Sequence, residues 1–255
     1  MINFEAIRAG LERGEFFLEY LPTISLADGR CTGAEALIRW RHASGVIQPD
    51  DFIPLAENTP LSGLITYWVI DTVAAEMADW LRANPDAHLS INVPPEILGR
   101  GGMEYAARRS GLHELAAQLI LEITERGVPD LLGLQAINDS KGLGIRIALD
   151  DVALMGGANV AVLARCNFHI IKLDRSLVAQ IGPENSTPEW LGLVSALLGT
   201  SRLEVIAEGI ETEQQLTTLR GANIQAGQGF YFSHPLPAED FMAYYRACPA
   251  ALSAV

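Results

Sequence analysis

The feature that most constrains this chain is a series of short apolar runs, each ending on a polar or charged residue and giving way to a helical pattern. The runs are Gly33–Trp40, His88–Val93, Leu119–Thr124, Ile145–Asp151, His169–Asp174 and Leu203–Glu208. Their interiors (LSINV, LILEI, IRIALD, IIKL, EVIAE) are too continuously apolar for a sheet with one wet face. They read as parallel strands covered on both sides. Between them, Ile65, Trp68, Val69, Val73, Met77 and Trp80 share one helical face, and Leu131, Leu134 and Ile137 share another that Gly142 closes. Phe16–Leu21 and Ile224–Ala226 bring the strands to eight, the number that closes a (β/α)8 barrel at this length. A doubly wound open sheet is the competing topology, but no GxGxxG follows the first strand. The expected fold is an α/β, TIM-like (β/α)8 barrel. With no Gly/Ser/Pro linker to divide it, a single domain over residues 1–255 is expected.

Composition narrows the function classes. Hydrophobic residues at 49% and charged residues at 19% supply a large core and exclude a disordered chain. The longest apolar stretch, Leu64–Leu81, is cut by Asp71, Glu76 and Asp79, which excludes a transmembrane helix there. The N-terminus lacks a basic flank and apolar core, so no secretory signal is read and a cytoplasmic location is expected. Cys31, Cys166 and Cys248 form no CxxC pair, against both a disulfide framework and a zinc knuckle. Eighteen basic against 31 acidic residues give a net charge of −13 with no Lys/Arg cluster, which argues against a DNA or RNA polymer as partner. An anionic ligand would need cations that the sequence does not count.

The strand ends carry the chemistry, because in such barrels the C-terminal ends of the strands form the mouth. They present Glu35, Asn92, Glu122, Asp150 with Asp151, Lys172 and Glu208. Any one acid at a strand end is ordinarily a solvated loop residue or the cap of the next helix. Jointly, converging carboxylates would repel one another unless cations neutralise them, and oxygen-only donors point to Mg²⁺ or Mn²⁺ rather than zinc. Asp150-Asp151 is the strongest member, since one carboxylate can bridge two ions while its neighbour holds the second; the alternative is an N-cap pair. Lys172 lies inside an apolar run and needs acidic partners to be buried there, or else snorkels at an edge. Thr212 and Gln215 read as a capping box. The five histidines show neither HxxxH nor HxH spacing, and no GxSxG elbow exists, so zinc and acyl chemistry lack support.

The segment Glu35-Ala36-Leu37-Ile38-Arg39-Trp40 resembles the signature from which the EAL-domain cyclic-di-GMP phosphodiesterases take their name. Similar blocks follow in order: Asp51–Pro54 with Ala56-Glu57, Ser90–Val93, Leu121–Glu125, Asp150-Asp151, Ile171–Asp174, Ile206–Thr212 and Gln228–Phe230. The resemblance runs from about Phe4 to about Phe241. It implies a barrel whose first strand is antiparallel to the rest, and hydrolysis of the bacterial second messenger cyclic di-GMP to linear pGpG. It further implies that Glu35, Asn92, Glu122 and Asp150 hold one Mg²⁺ or Mn²⁺, while Asp150, Asp151 and Glu208 hold the second, roughly 3.5–4 Å away. Lys172 would orient the attacking water, with Glu208, Glu125 and Glu211 in supporting catalytic roles. Leu37, Arg39 and Gln228 would bind the substrate, Arg39 at a phosphate, and a homodimer is implied as a partner state.

The chain departs from the family pattern in two places. The family's DDFGTG reads Asp150-Asp151-Val152-Ala153-Leu154-Met155 here, and the segment up to Lys172 is one residue longer. Ala153 for Gly and Leu154 for Thr change backbone freedom and hydrogen bonding in a loop that supports Glu125, the second ion site and a dimer contact. A displacement near 1 Å there would cost about 10²-fold in rate. Leu21 also replaces a glutamine before Pro22, removing a ligand contact worth about 1 kcal/mol. Three classes are compatible with these changes: an active phosphodiesterase, a cyclic-di-GMP receptor of weak or no activity, and a protein-interaction module. The complete ligand set makes the first the expectation.

Overall fold

The computed structural model describes residues 2–124, 129–152 and 166–248. Its strands are β1 (Phe16–Ser25), β2 (Cys31–His42), β3 (Gly45–Ile47), β4 (His88–Asn92), β5 (Leu119–Thr124), β6 (Arg146–Val152), β7 (Ile170–Leu173), β8 (Glu204–Ala207) and β9 (Ala226–Gly227). Parallel pairing runs β2-β4-β5-β6-β7-β8-β9, and β1 closes the barrel by pairing antiparallel with both β2 and β9. β3 lies outside the ring as a hairpin extension of β2. The eight-strand reading and the antiparallel first strand both hold.

The direction of β1 follows from a short connection. Only residues 26–30 join β1 to β2, too few for the crossover that a parallel pair requires. Asp28-Gly29 turns the chain, with Gly29 at φ +74°.

Helices pack outside the ring. The long helix Pro60–Ala83 starts on Thr59, whose side chain accepts from the Leu61 N–H, and buries the expected face of Ile65, Val69, Val73, Met77 and Trp80. The helix Leu131–Leu143 corrects two expectations. It ends at Gly144, where φ is +77°, whereas Gly142 stands inside it; the stop needs a left-handed residue, and Gly144 supplies that conformation. Leu131, in the first turn, is 79% exposed, so the core-facing side is carried by Leu134 and the fully buried Ile137. The helix Glu213–Gly221 opens with the expected Thr212–Gln215 capping box.

Two apolar layers position the site. The larger core fills the space between strands and helices, and a small cluster of Ile120, Ala148, Ile170, Ile206 and Ala226 fills the lumen. Each lumen residue stands two positions before Glu122, Asp150, Lys172, Glu208 or Gln228. Strand alternation therefore places those five polar residues on the same inward face, one layer nearer the mouth. No described helix is long and apolar enough to cross a membrane, and all three cysteines are free thiols.

Candidate active site

Lys172 is the centre of the site. Its side chain is fully buried, and Nζ lies 2.6 Å from Glu208 Oε1, 2.8 Å from Glu122 Oε2, 2.9 Å from Glu35 Oε2 and 3.3 Å from Asp150 Oδ1. Strands β2, β5 and β6 and the residue that follows β8 thus deliver one acid each to an ammonium carried by β7. Burial alone would lower the lysine pKa, but Asp150, Glu122, Glu208 and Glu35 raise it well above its ordinary value. Burial also opposes ionisation of Glu35, yet the Lys172 charge and hydrogen bonds from Lys172 and Asn92 outweigh it and hold the carboxyl below its usual range. Glu122 goes the other way, raised well above by burial and then by the Glu35 charge. Burial, partly offset by Lys172, also raises Asp150 and pushes Glu208 up to about 8.

Asn92 joins from the end of β4, its Nδ2 donating to Glu35 Oε1 at 2.8 Å. Asp150 and Asp151 reach the mouth by a local irregularity. Adjacent residues of a strand normally face opposite sides, but the β6–β7 register slips by one residue between Leu149 and Val152, and Asp151 adopts φ +58°. The bulge turns both carboxylates the same way, and the Asp151 N–H donates to Asp150 Oδ1 at 2.9 Å. Aspartate tolerates this left-handed backbone better than most residues.

The result is two oxygen-donor trios, Glu35–Glu122–Asp150 and Asp150–Asp151–Glu208, with the ligand atoms of each within 4.8 Å of one another. Glu122 Oε1 is buried without a hydrogen-bond partner. An orphaned carboxylate oxygen and two acid trios sharing Asp150 fit hard divalent cations.

The wall beside this cluster is the β1–β2 ladder, in which Leu21 pairs with Glu35, Glu19 with Leu37 and Phe17 with Arg39. Leu21, Glu19, Phe17 and Leu37 are half-buried on the mouth side, while the opposite face, with Phe16, Leu18 and Trp40, is packed into the core. Arg39 is buried, donating from Nε to Glu19 Oε2 at 2.9 Å and from Nη1 to the Ile38 carbonyl at 3.1 Å. Gln228 donates to Thr23 Oγ1 at 3.0 Å, while its buried Oε1 has no partner. Glu19 and Thr23 were not among the sequence candidates; strand alternation from Glu35 across an antiparallel β1–β2 pair is the signal that finds them.

Glu211 does not reach Lys172. It is exposed, its backbone N–H donates to Gln215 Oε1, and it is not among the four carboxylates paired with the lysine. Glu125 and the departing loop beyond Val152 lie outside the described residues.

A barrel closed by one reversed strand, with an acidic mouth whose oxygen donors fit divalent cations around a buried lysine, defines the class of this protein. The EAL domain family model matches residues 5–235, and the chain belongs to the EAL domain family. It is 35% identical over 242 residues to the probable cyclic di-GMP phosphodiesterase PdeB of Escherichia coli, covering 93% of this chain and 46% of that protein. It is 31% identical over 253 residues to the cyclic di-GMP phosphodiesterase NbdA of Pseudomonas aeruginosa, covering 95% and 32%. The chain thus spans less than half the length of these curated relatives. Among solved structures, the PaMucR phosphodiesterase in complex with c-di-GMP superposes with a TM-score of 0.82 at 30% identity, covering 93% of this chain and 98% of that one. The EAL enzyme Bd1971, bound to cAMP and cyclic-di-GMP, also gives 0.82, at 28% identity, covering 94% and 67%.

Proposed function

We propose that this chain is a metal-dependent phosphodiesterase that hydrolyses cyclic di-GMP to linear pGpG. The observation that carries the reading is the convergence of Glu35, Glu122, Asp150 and Glu208 on one buried ammonium, with Asn92 and Asp151 adjoining. The names of the relatives and the cyclic-di-GMP complex of a similar barrel support the substrate.

Glu35, Asn92, Glu122 and Asp150 would hold one ion, and Asp150, Asp151 and Glu208 the other. Oxygen donors favour Mg²⁺ or Mn²⁺. Bound there, such ions supply Lewis acidity at a phosphoryl oxygen and lower the pKa of a water. The chain's own groups do the rest. Lys172 would hold the attacking water with an N–H freed when one of its carboxylate partners turns to an ion. Hydrolysis adds that water's oxygen to one phosphorus and breaks its bond to a ribose oxygen, which leaves protonated. Arg39, with its Nε and one Nη already fixed, keeps a guanidinium edge for the second phosphate. Leu37 and Gln228, with its unsatisfied Oε1, seat the nucleotide.

The test is incubation of purified protein with cyclic di-GMP and Mg²⁺ or Mn²⁺, followed by chromatographic separation of nucleotides. Linear pGpG with metal and none with EDTA is expected. No product with either metal at high enzyme concentration would overturn the reading.

A further inference from the structure

The β1–β2 ladder continues past the acidic cluster, and its mouth-side face carries Phe17 and Arg41 beyond Arg39. Arg41 lies on the same face as Glu35, Leu37 and Arg39, and its guanidinium carbon sits 4.6 Å from the centre of the Phe17 ring. Arg41 is exposed and makes no ion pair with a carboxylate among the described residues. In a chain of net charge −13, Arg13, Arg30, Arg39, Arg82 and Arg100 all pair with an acid. Arg41 instead places its guanidinium over an aromatic ring at the mouth, with no carboxylate partner among the described residues.

Both arginines lean back along the ladder toward the cluster. Arg39 bonds to Glu19, whose backbone pairs with Leu37, and Arg41 covers Phe17, whose backbone pairs with Arg39. At about 3.3 Å of rise per residue, the backbone levels of their partners Glu19 and Phe17, opposite Leu37 and Arg39, lie about 7 Å and about 13 Å beyond that of Glu35. A charge held by a carboxylate therefore comes first, and a free planar cation backed by a ring comes next. That order matches a phosphate followed by a base in a dinucleotide reaching out from the acids.

We propose that the Arg41–Phe17 pair is a stacking subsite for one purine base of the ligand. A guanidinium plane stacks on nucleobases, and the Phe17 ring beside it, 4.6 Å from the guanidinium carbon, restricts the arginine and covers one side of it. The proposal rests on the cyclic-di-GMP reading and adds to it the residues that read a base.

The test compares wild type with Arg41→Ala, Arg41→Lys and Arg41→Trp, by steady-state kinetics on cyclic di-GMP and by calorimetric binding of cyclic di-GMP in EDTA. Arg41→Ala is expected to raise KM and Kd about tenfold with kcat retained, within what stacking one base contributes. Lysine keeps the charge but lacks the plane, so Arg41→Lys should behave like alanine. Tryptophan has the plane without the charge, so Arg41→Trp should stay within about threefold of wild type. Unchanged KM and Kd in Arg41→Ala would overturn the subsite. So would retention in Arg41→Lys with loss in Arg41→Trp, the pattern of a phosphate contact. Wild type that binds without turnover, with Arg41→Ala weakened, would sustain the subsite while the catalytic reading fails. Wild type that neither binds nor turns over would overturn both.

Discussion

Lys172 Nζ donates to Glu122 Oε2 at 2.8 Å, at a point of the barrel where both side chains are shut off from solvent. With Glu35, Asp150 and Glu208 also within 3.3 Å, the lysine is the built-in counter-charge of the acid cluster. Removing one partner of a buried charge cluster leaves the others uncompensated. Lys172→Met is therefore expected to lower stability by about 3–5 kcal/mol without divalent cations. Added Mg²⁺ should raise the melting temperature of this variant more than that of wild type, because cations then take over the neutralising role. Thermal melts with and without Mg²⁺ check it, and equal Mg²⁺ shifts in both proteins would count against a shared role.

Asp151 supplies the test of the second ion site that disturbs the fold least. Asparagine tolerates the same left-handed backbone, so Asp151→Asn keeps the bulge while removing a charge. Manganese titration should show at least about tenfold weaker binding at one site, with the melting temperature shifted by no more than about 2 °C. Unchanged Mn²⁺ affinity would remove Asp151 from the ligand set.

Gly229 fixes the segment that carries Gln228. Its φ is +151°, and a Cβ there would stand 2.2 Å from the Ile210 carbonyl oxygen. Gly229→Ala must push the 228–231 backbone away from Ile210, at a cost of about 1–3 kcal/mol. Because Gln228 N–H donates to Ala207 and Gln228 C=O accepts from Ile210, the shift is passed to the ligand wall. KM for cyclic di-GMP is expected to rise about tenfold or more, a positional effect of the kind that 1 Å produces. Equal KM would show that Gln228 does not seat the ligand.

His88, at the other end of the barrel, makes stability depend on acid. It is buried with Nε2 unpartnered, and burial, then the Arg146 charge, pushes its pKa down to about 3. The unfolded chain takes up the proton near about 6.5 and the folded one only near the lower value, so the unfolded state binds more protons between them. This residue therefore lowers stability as pH falls through that window, by about 1.4 kcal/mol per pH unit. Denaturant unfolding of His88→Leu from pH 7 to pH 4 should show a flatter acid limb than wild type, and parallel limbs would refute the assignment.

Much of this arrangement is legible in the chain. Strands β4 to β8 are covered on both faces, so they stand out as apolar runs, and the residues that end them are the site. Lys172 reads correctly as a lysine that burial allows only among acids. Other features depend on pairing that periodicity does not report. Adjacent Asp150 and Asp151 would face opposite ways in a regular strand, and only the bulge against β7 brings them together. Glu19, Thr23, Phe17 and Arg41 acquire their positions from the β1–β2 register, although the short Asp28-Gly29 turn already encodes an antiparallel pair. Gly142 misleads because a helix can carry a glycine inside it when a second glycine two residues on takes the left-handed turn.

The most direct test of the central claim is turnover of cyclic di-GMP in ¹⁸O-labelled water with Mg²⁺, wild type beside Glu35→Gln. Wild type should yield linear pGpG with one labelled oxygen on the new terminal phosphate, and Glu35→Gln should be slower by at least about 10²-fold, the scale of losing one group that stabilises the transition state. Product without label, or a rate unchanged by the substitution, would contradict metal-assisted attack of water at this cluster.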